Sequence, residues 1–143
     1  LEQPNTIFLD GDELRLILDI KESFSMANRL AVSYVYSRLC KFLANQKLNV
    51  VIATISMFEE VRNWNKKNIS NYKEVYIKVP IDILINRDQK GLYSKAIKGE
   101  IKNVVGIDIK VDEPKNPDFV CVNDGSKSIQ KLANEIFLFF KKS

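Results

Sequence analysis

The chain has 143 residues, 45% of them hydrophobic and 28% charged, which suits one globular domain, residues 1–143, with a moderate core. Its 22 basic and 18 acidic side chains leave a net charge of +4, and the bases are spread among acids along the chain, so no nucleic-acid partner is expected. There is no histidine, which excludes a Ser-His or Cys-His nucleophile and a His-ligated metal and leaves acid–base work to carboxylate, lysine or tyrosine.

The opening LEQPNTIFLD lacks the charged-then-apolar pattern of a signal peptide, and no apolar run approaches the roughly 20 residues of a membrane helix. A soluble, cytoplasmic protein without a membrane partner is expected. Thr6 to Asp10 reads as a strand ending in the acidic turn Asp-Gly-Asp, after which Asp12 and Glu13 open a short helix. Ser25 is placed to cap a longer helix, about Met26 to Gln46, whose Val32, Val35, Leu39, Phe42 and Leu43 follow a three-four spacing toward the core. Arg29, Ser33 and Ser37 lie four apart on another face.

Asn49 to Ile55 is a near-continuous β-rich run, the pattern of a parallel strand covered on both faces, with Ser56, Met57 and Phe58 at its exit. Glu59 to Lys67 reads as a helix and Glu74 to Val79 as a third strand; Pro80 then starts a helix that ends near Arg87. From Arg87 to Lys102 the bases Arg87, Lys90, Lys95, Lys98 and Lys102 face only Asp88 and Glu100. This run, within a region spanning 87–115, reads as a lid over a phosphorylated ligand, the alternative being a solvated charged helix. Asp112 to Pro117 is a loop, and Phe119 to Val122 a fourth strand. Ser126 is placed to cap a last helix with Ile129, Leu132, Ala133, Ile136, Phe137 and Phe140 on one stripe. Cys40 and Cys121, far apart in sequence, read as buried thiols.

Strands alternating with helices imply a parallel α/β sheet, in which ligands bind beyond the carboxyl ends of the strands. Asp10, Asp12 and Arg15, then Ser56 to Phe58, then Arg87 to Lys102 are expected at that rim.

The ordered series LDGDELR, FSMANR, VVIATISMF, INRDQKGLYSKAIKGEIKNVVGID and DEPKNPD resembles the adenylylsulfate (APS) kinase family along nearly the whole chain. The resemblance implies a P-loop kinase-type parallel sheet flanked by helices and transfer of the γ-phosphate of ATP to the ribose 3'-hydroxyl of a small nucleotide. It also implies Mg²⁺ and a homodimer. The phosphate-cradling G-x-x-x-x-G-K-[ST] motif of that fold occurs nowhere in the 143 residues. The P-loop strand lies mid-sheet in this fold, so the four strands would leave a central gap. The expectation is that a strand, loop and helix precede Leu1, so that the domain is truncated at its N-terminus and inactive by itself. The alternative is a non-catalytic nucleotide-binding relative without a P-loop.

By resemblance, Asp12 matches the carboxylate that contacts the acceptor hydroxyl, a role in which it orients the nucleophile and takes its proton; otherwise it is a helix-opening acid. Asp10 is a weaker candidate for holding Mg²⁺ through water, or else a turn former. Arg15 and Arg29 match arginines that grip the acceptor's anionic group, and Phe24, Ile55, Ser56 and Lys90 complete the acceptor side. Arg87 and Lys95, with Lys90, match lid cations over the ATP phosphates.

Several positions depart from the family. Ala31 to Val35 replace an acidic residue followed by Asn-Ile-Arg-Arg, and Asn28 replaces an aspartate. Val104, Val105 and Gly106 replace a Phe-Thr-Gly run whose ring stacks on the adenine of adenylyl sulfate, a loss on the order of 1 to 3 kcal/mol by analogy with other base stacks. These departures resemble the capsule-pathway branch that phosphorylates cytidine diphosphoramidate, with adenylyl sulfate as the alternative acceptor.

Overall fold

The computed structural model describes residues 4–20, 25–55, 58–109 and 112–141, with the backbone alone at Gln89. Contacts divide the chain into two compact units, residues 1–72 and 73–143.

In the first unit the β-branched and aromatic run Thr6–Asp10 is strand β1. The Asp10 side chain then takes over from the ladder: its Oδ1 accepts the amides of Asp12 at 2.8 Å and Glu13 at 3.3 Å, capping helix α1 (Gly11–Ile17). Helix α2 (Met26–Asn45) is capped by Ser25, whose hydroxyl accepts the Asn28 amide at 3.4 Å, as its position suggests. Strand β2 (Asn49–Ala53) runs parallel to β1, with Thr6 opposite Asn49 and Asp10 opposite Ala53, and helix α3 (Glu59–Asn68) follows.

The core of this unit is Leu14, Val32 and Tyr36, with Leu9, Ile20, Leu39 and Ile52 packed against it. On α2 the buried row is therefore Val32, Tyr36 and Cys40. Val35 and Phe42, expected inside, are 41% and 63% exposed. At 100° per residue they fall roughly a third of a turn from the centre of the buried stripe, and a three-four spacing accommodates either stripe until the sheet selects one. Strand β2 also differs from expectation: Val50 and Ile52 are half-buried, whereas Asn49, Val51 and Ala53 are exposed, with Phe8 opposite Val51 and exposed too. The described elements of the unit cover one face of this strand pair.

In the second unit β3 (Val75–Lys78) pairs parallel with β4 (Phe119–Val122), Val75 opposite Phe119 and Lys78 opposite Val122. Between them lie α4 (Ile81–Arg87), which Pro80 opens, a 3₁₀ turn (Gln89–Gly91) and α5 (Leu92–Ile97). Helix α6 (Ile129–Lys141) packs on β4 through Phe119 and Phe139, ring centroids 4.9 Å apart, above the buried Leu132 and Cys121.

The cap of α6 is Ser128 rather than Ser126: the Ser128 hydroxyl accepts the Lys131 amide at 3.3 Å and its carbonyl the Leu132 amide at 3.1 Å. Ser126 is occupied otherwise, its amide donating to Asp124 Oδ1 at 2.9 Å in a tight turn. Of the expected stripe Leu132 is buried and Ile136 and Phe140 are half-buried; Ile129, Ala133 and Phe137 are exposed. Both described strand pairs are parallel with helical connections, as the alternation of elements implies. No described helix is long and apolar enough to cross a membrane.

Candidate functional site

The first unit gathers polar side chains at the carboxyl ends of its two strands, where the β1 turn and the β2 exit adjoin. A Cβ on Gly11 would stand 3.0 Å from Thr54 Cγ2 and 3.1 Å from the Ala53 carbonyl oxygen. Glycine at the centre of Asp-Gly-Asp is thus a packing requirement that holds the turn against the β2 exit. Tyr36 adds a second anchor, its hydroxyl donating to the Gly11 carbonyl at 2.9 Å. Burial raises the pKa of that hydroxyl above its ordinary value; Arg15 opposes the shift, and Asp12 and then Asp10 reinforce it. One buried phenol therefore lies in the fields of three of the candidate residues, Asp10, Asp12 and Arg15.

Asp12 is exposed in the first turn of α1, and Arg15 is half-buried one turn on. The Asp10 carboxylate caps α1 through Oδ1, so the turn-forming role holds whatever else its second oxygen does. Arg29 is half-buried in the first turn of α2, and its carbonyl accepts the Ser33 hydroxyl at 2.8 Å. Ile55 is 65% exposed beyond β2. Phe24 and Ser56 lie outside the described residues. Tyr36 was not among the candidates, although a tyrosine four residues after a buried Val32 needs a partner for its hydroxyl and points to a polar site at the end of the helix row. Cys40, on the same row, is an inert thiol, its pKa pushed up to about 11 by burial.

The second unit carries the segment expected to form a lid. It is not one continuous solvated helix: after Arg87 the backbone turns through left-handed residues at Asp88 (φ 33°), Lys90 (φ 62°) and Gly91 (φ 66°) before the six residues of α5. Asp88 steadies this bend, its Oδ1 accepting the amides of Tyr93 at 2.8 Å and Ser94 at 3.0 Å. Hydrogen bonding from Ser94 holds the Asp88 carboxyl below its usual pKa, with a further contribution from the Tyr93 amide and Lys95. Lys90 and Lys95 are exposed along the segment.

Farther on, the turn at 103–109 is tied by its own backbone. The Val104 carbonyl accepts the amides of Ile107, Asp108 and Ile109, each at 3.2 Å, while the Asp108 carboxylate accepts those of Asn103 and Val104. Val104 is only 4% exposed and Val105 is half-buried, so of the two valines Val105 offers the larger surface to a ligand.

A cavity of about 500 Å³ opens beside the end of α4, lined by Arg87, Asn123, Gly125, Lys127, Ser128 and Ile129. Asn123 continues the ladder past β4, its amide donating to the Lys78 carbonyl at 2.9 Å, and its side-chain oxygen accepts Arg87 Nη2 at 3.1 Å. Of this wall only Arg87 was a candidate. The segment Asn123 to Ser128 follows a parallel strand directly, which is the available signal for a ligand rim. Among the described residues no group of three or more His, Cys, Asp or Glu side chains is assembled to hold a metal.

Residues 2–122 match the model of the adenylylsulphate kinase family. The cytidine diphosphoramidate kinase of Campylobacter jejuni is 42% identical over 142 residues, covering 99% of this chain and 81% of that protein. A probable adenylyl-sulfate kinase of Pyrococcus abyssi is 36% identical over 110 residues, covering 77% of this chain and 63% of that protein. Among solved structures, Mycobacterium tuberculosis APS kinase CysC in complex with AMPPNP and APS superposes with a TM-score of 0.84 at 34% identity, over 94% of this chain and 79% of that one. Parallel strands with flanking helices, the Asp-Gly-Asp turn at the end of β1 and the lysine-rich segment after α4 agree with these likenesses, and the chain belongs to the adenylylsulphate kinase family.

Proposed function

We propose that this chain serves an ATP-dependent phosphotransferase that phosphorylates the ribose 3'-hydroxyl of a small nucleotide, with cytidine diphosphoramidate as acceptor in capsule modification. The observation that carries the reading is the β1 exit, where Gly11 is pressed onto β2, Tyr36 grips its carbonyl, and Asp12 and Arg15 follow three residues apart on α1. A carboxylate so held orients the acceptor hydroxyl and takes its proton as the bond to phosphorus forms, and the Arg15 and Arg29 guanidinia bind the acceptor's anionic group. Arg87, Lys90 and Lys95 neutralise the donor phosphates, the lid region being 87–115.

Mg²⁺, when bound on the ATP phosphates, would spread their charge, and Asp10 is the residue that would hold it through water. The choice of cytidine diphosphoramidate draws on the 42% relative and on valine at positions 104 and 105. Adenylyl sulfate is the second reading, favoured by the likeness to a kinase whose structure holds APS. Tyr93 and Leu92 pin the lid by packing, and the active form is a homodimer.

The test is Asp12→Asn in the full-length protein. Phosphoryl transfer should fall by about 10² to 10⁴ with little change in thermal midpoint, and unchanged transfer would remove the role assigned to Asp12. Assaying the unmodified enzyme with both acceptors decides between them by kcat/KM.

A further inference from the structure

Within the first unit a single peptide plane is held at both of its polar ends, and it is the plane that leads into Asp12. The carbonyl of Gly11 and the amide nitrogen of Asp12 belong to one rigid peptide group. Its oxygen accepts the Tyr36 hydroxyl at 2.9 Å, and its N–H donates to Asp10 Oδ1 at 2.8 Å. Gly11 itself lies against the Ala53 carbonyl and the Thr54 methyl with no room for a Cβ. With the plane so fixed, the place of the Asp12 Cα is set before its own side chain is considered.

Tyr36 reaches this plane from α2, 25 residues along the chain. Its side chain is 7% exposed and belongs to the core cluster with Leu14 and Val32, so the hydroxyl is presented by a ring that has little freedom to move. Arg29 stands seven residues before it on α2, which is two turns, so the two lie on one face with about 10 Å of helix between them. The same helix therefore carries the arginine assigned to the acceptor's anionic group and the hydroxyl that fixes the approach to Asp12.

We propose that Tyr36 is a positioning residue for phosphoryl transfer, which fixes the Gly11–Asp12 peptide plane from α2 and so sets the Asp12 carboxylate in a constant relation to Arg29. The proposal rests on the reading of Asp12 as the acceptor-side carboxylate and adds the residue that aims it.

Steady-state kinetics of the full-length protein, with kcat counted per AMPPNP-binding site so that unfolded chains do not enter, test it. Tyr36→Phe should lower kcat about tenfold, the size of one positioning hydrogen bond, while the KM for ATP holds. In an Asp12→Asn background the same change should lower the residual kcat by less than about twofold, because the group that it aims is already gone. Cys40→Ala, which loosens the same buried row without touching the turn, should lower the thermal midpoint and leave kcat per site unchanged. An unchanged kcat per site in Tyr36→Phe overturns the proposal. So does a tenfold loss that persists in the Asp12→Asn background, which would make the hydroxyl act independently of Asp12, and so does an equal loss in Cys40→Ala, which would tie the rate to stability alone. If Asp12→Asn by itself transfers at the unmodified rate, the acceptor-side reading of Asp12 falls as well.

Discussion

At the scale of single residues the chemistry hangs on small atoms. Gly11 is where a side chain is least tolerable, because the Ala53 carbonyl and Thr54 methyl already occupy the space a Cβ would need. Gly11→Ala should cost about 1 to 3 kcal/mol, read as a lower urea midpoint with unchanged slope. The same change shifts the turn that carries Asp12, so transfer should fall further than stability alone accounts for. Tyr36 shows how a buried polar tip organises its surroundings: its hydroxyl satisfies a turn carbonyl that would otherwise face the core. Val104 makes the complementary point. The valine expected to read the acceptor is buried in its own turn, and the half-buried Val105 is left as the side chain with surface to present.

At the scale of elements the bend between α4 and α5 is held by one carboxylate. Asp88 caps α5 while sitting in a left-handed conformation itself, so its ionisation and the shape of the hinge are linked. In the folded chain its pKa lies below the ordinary aspartate value, chiefly through hydrogen bonding from Ser94. The sign follows directly: the folded state prefers the ionised form, so the stabilisation is present above the ordinary carboxylate pKa and is lost as pH falls through the lower, folded value. Thermal midpoints measured from about pH 5 down to pH 2 should drop less steeply in Asp88→Asn than in the unmodified protein. Equal acid limbs would show that the cap contributes nothing to the fold. The midpoint at neutral pH should be lower in the variant, because the amide is a weaker acceptor for the two helix amides.

Helix α6 teaches the same lesson from its start. Two serines stand ahead of it, and the Asp124 turn engages Ser126 while Ser128 takes the cap.

At the scale of the whole molecule, each described sheet has two strands and depends on the helices packed against it for stability. The 143 residues, which hold no G-x-x-x-x-G-K-[ST] motif, are expected to show no phosphoryl transfer when assayed with ATP and either acceptor. Full transfer by the 143 residues would defeat this expectation.

Some of the architecture was legible in the residues because it is local. Thr6–Asp10 and Phe119–Val122 are strands to the residue, since short β-branched runs bounded by turn formers carry their own limits. Ser25 caps α2 and Pro80 opens α4 for reasons contained within one turn of backbone. The family match likewise rests on ordered motifs that need no coordinates. The side of α2 that is buried, the exposure of one face of β2, and the burial of Val104 were not legible, because each depends on which neighbour the chain packs against.

The amino-acid order by itself determined the alternation of strands and helices, the Asp-Gly-Asp turn, the lysine-rich segment and the family, all of which are properties of neighbouring residues and their periodicity. Only the tertiary structure decided that Tyr36 anchors the Gly11 turn and that Arg87 shares a cavity with Asn123, Gly125 and Lys127. Those groups are 25 to 40 residues apart in the chain, and contacts over such separations depend on which face of a helix packs against the strands, which a local three-four spacing leaves open.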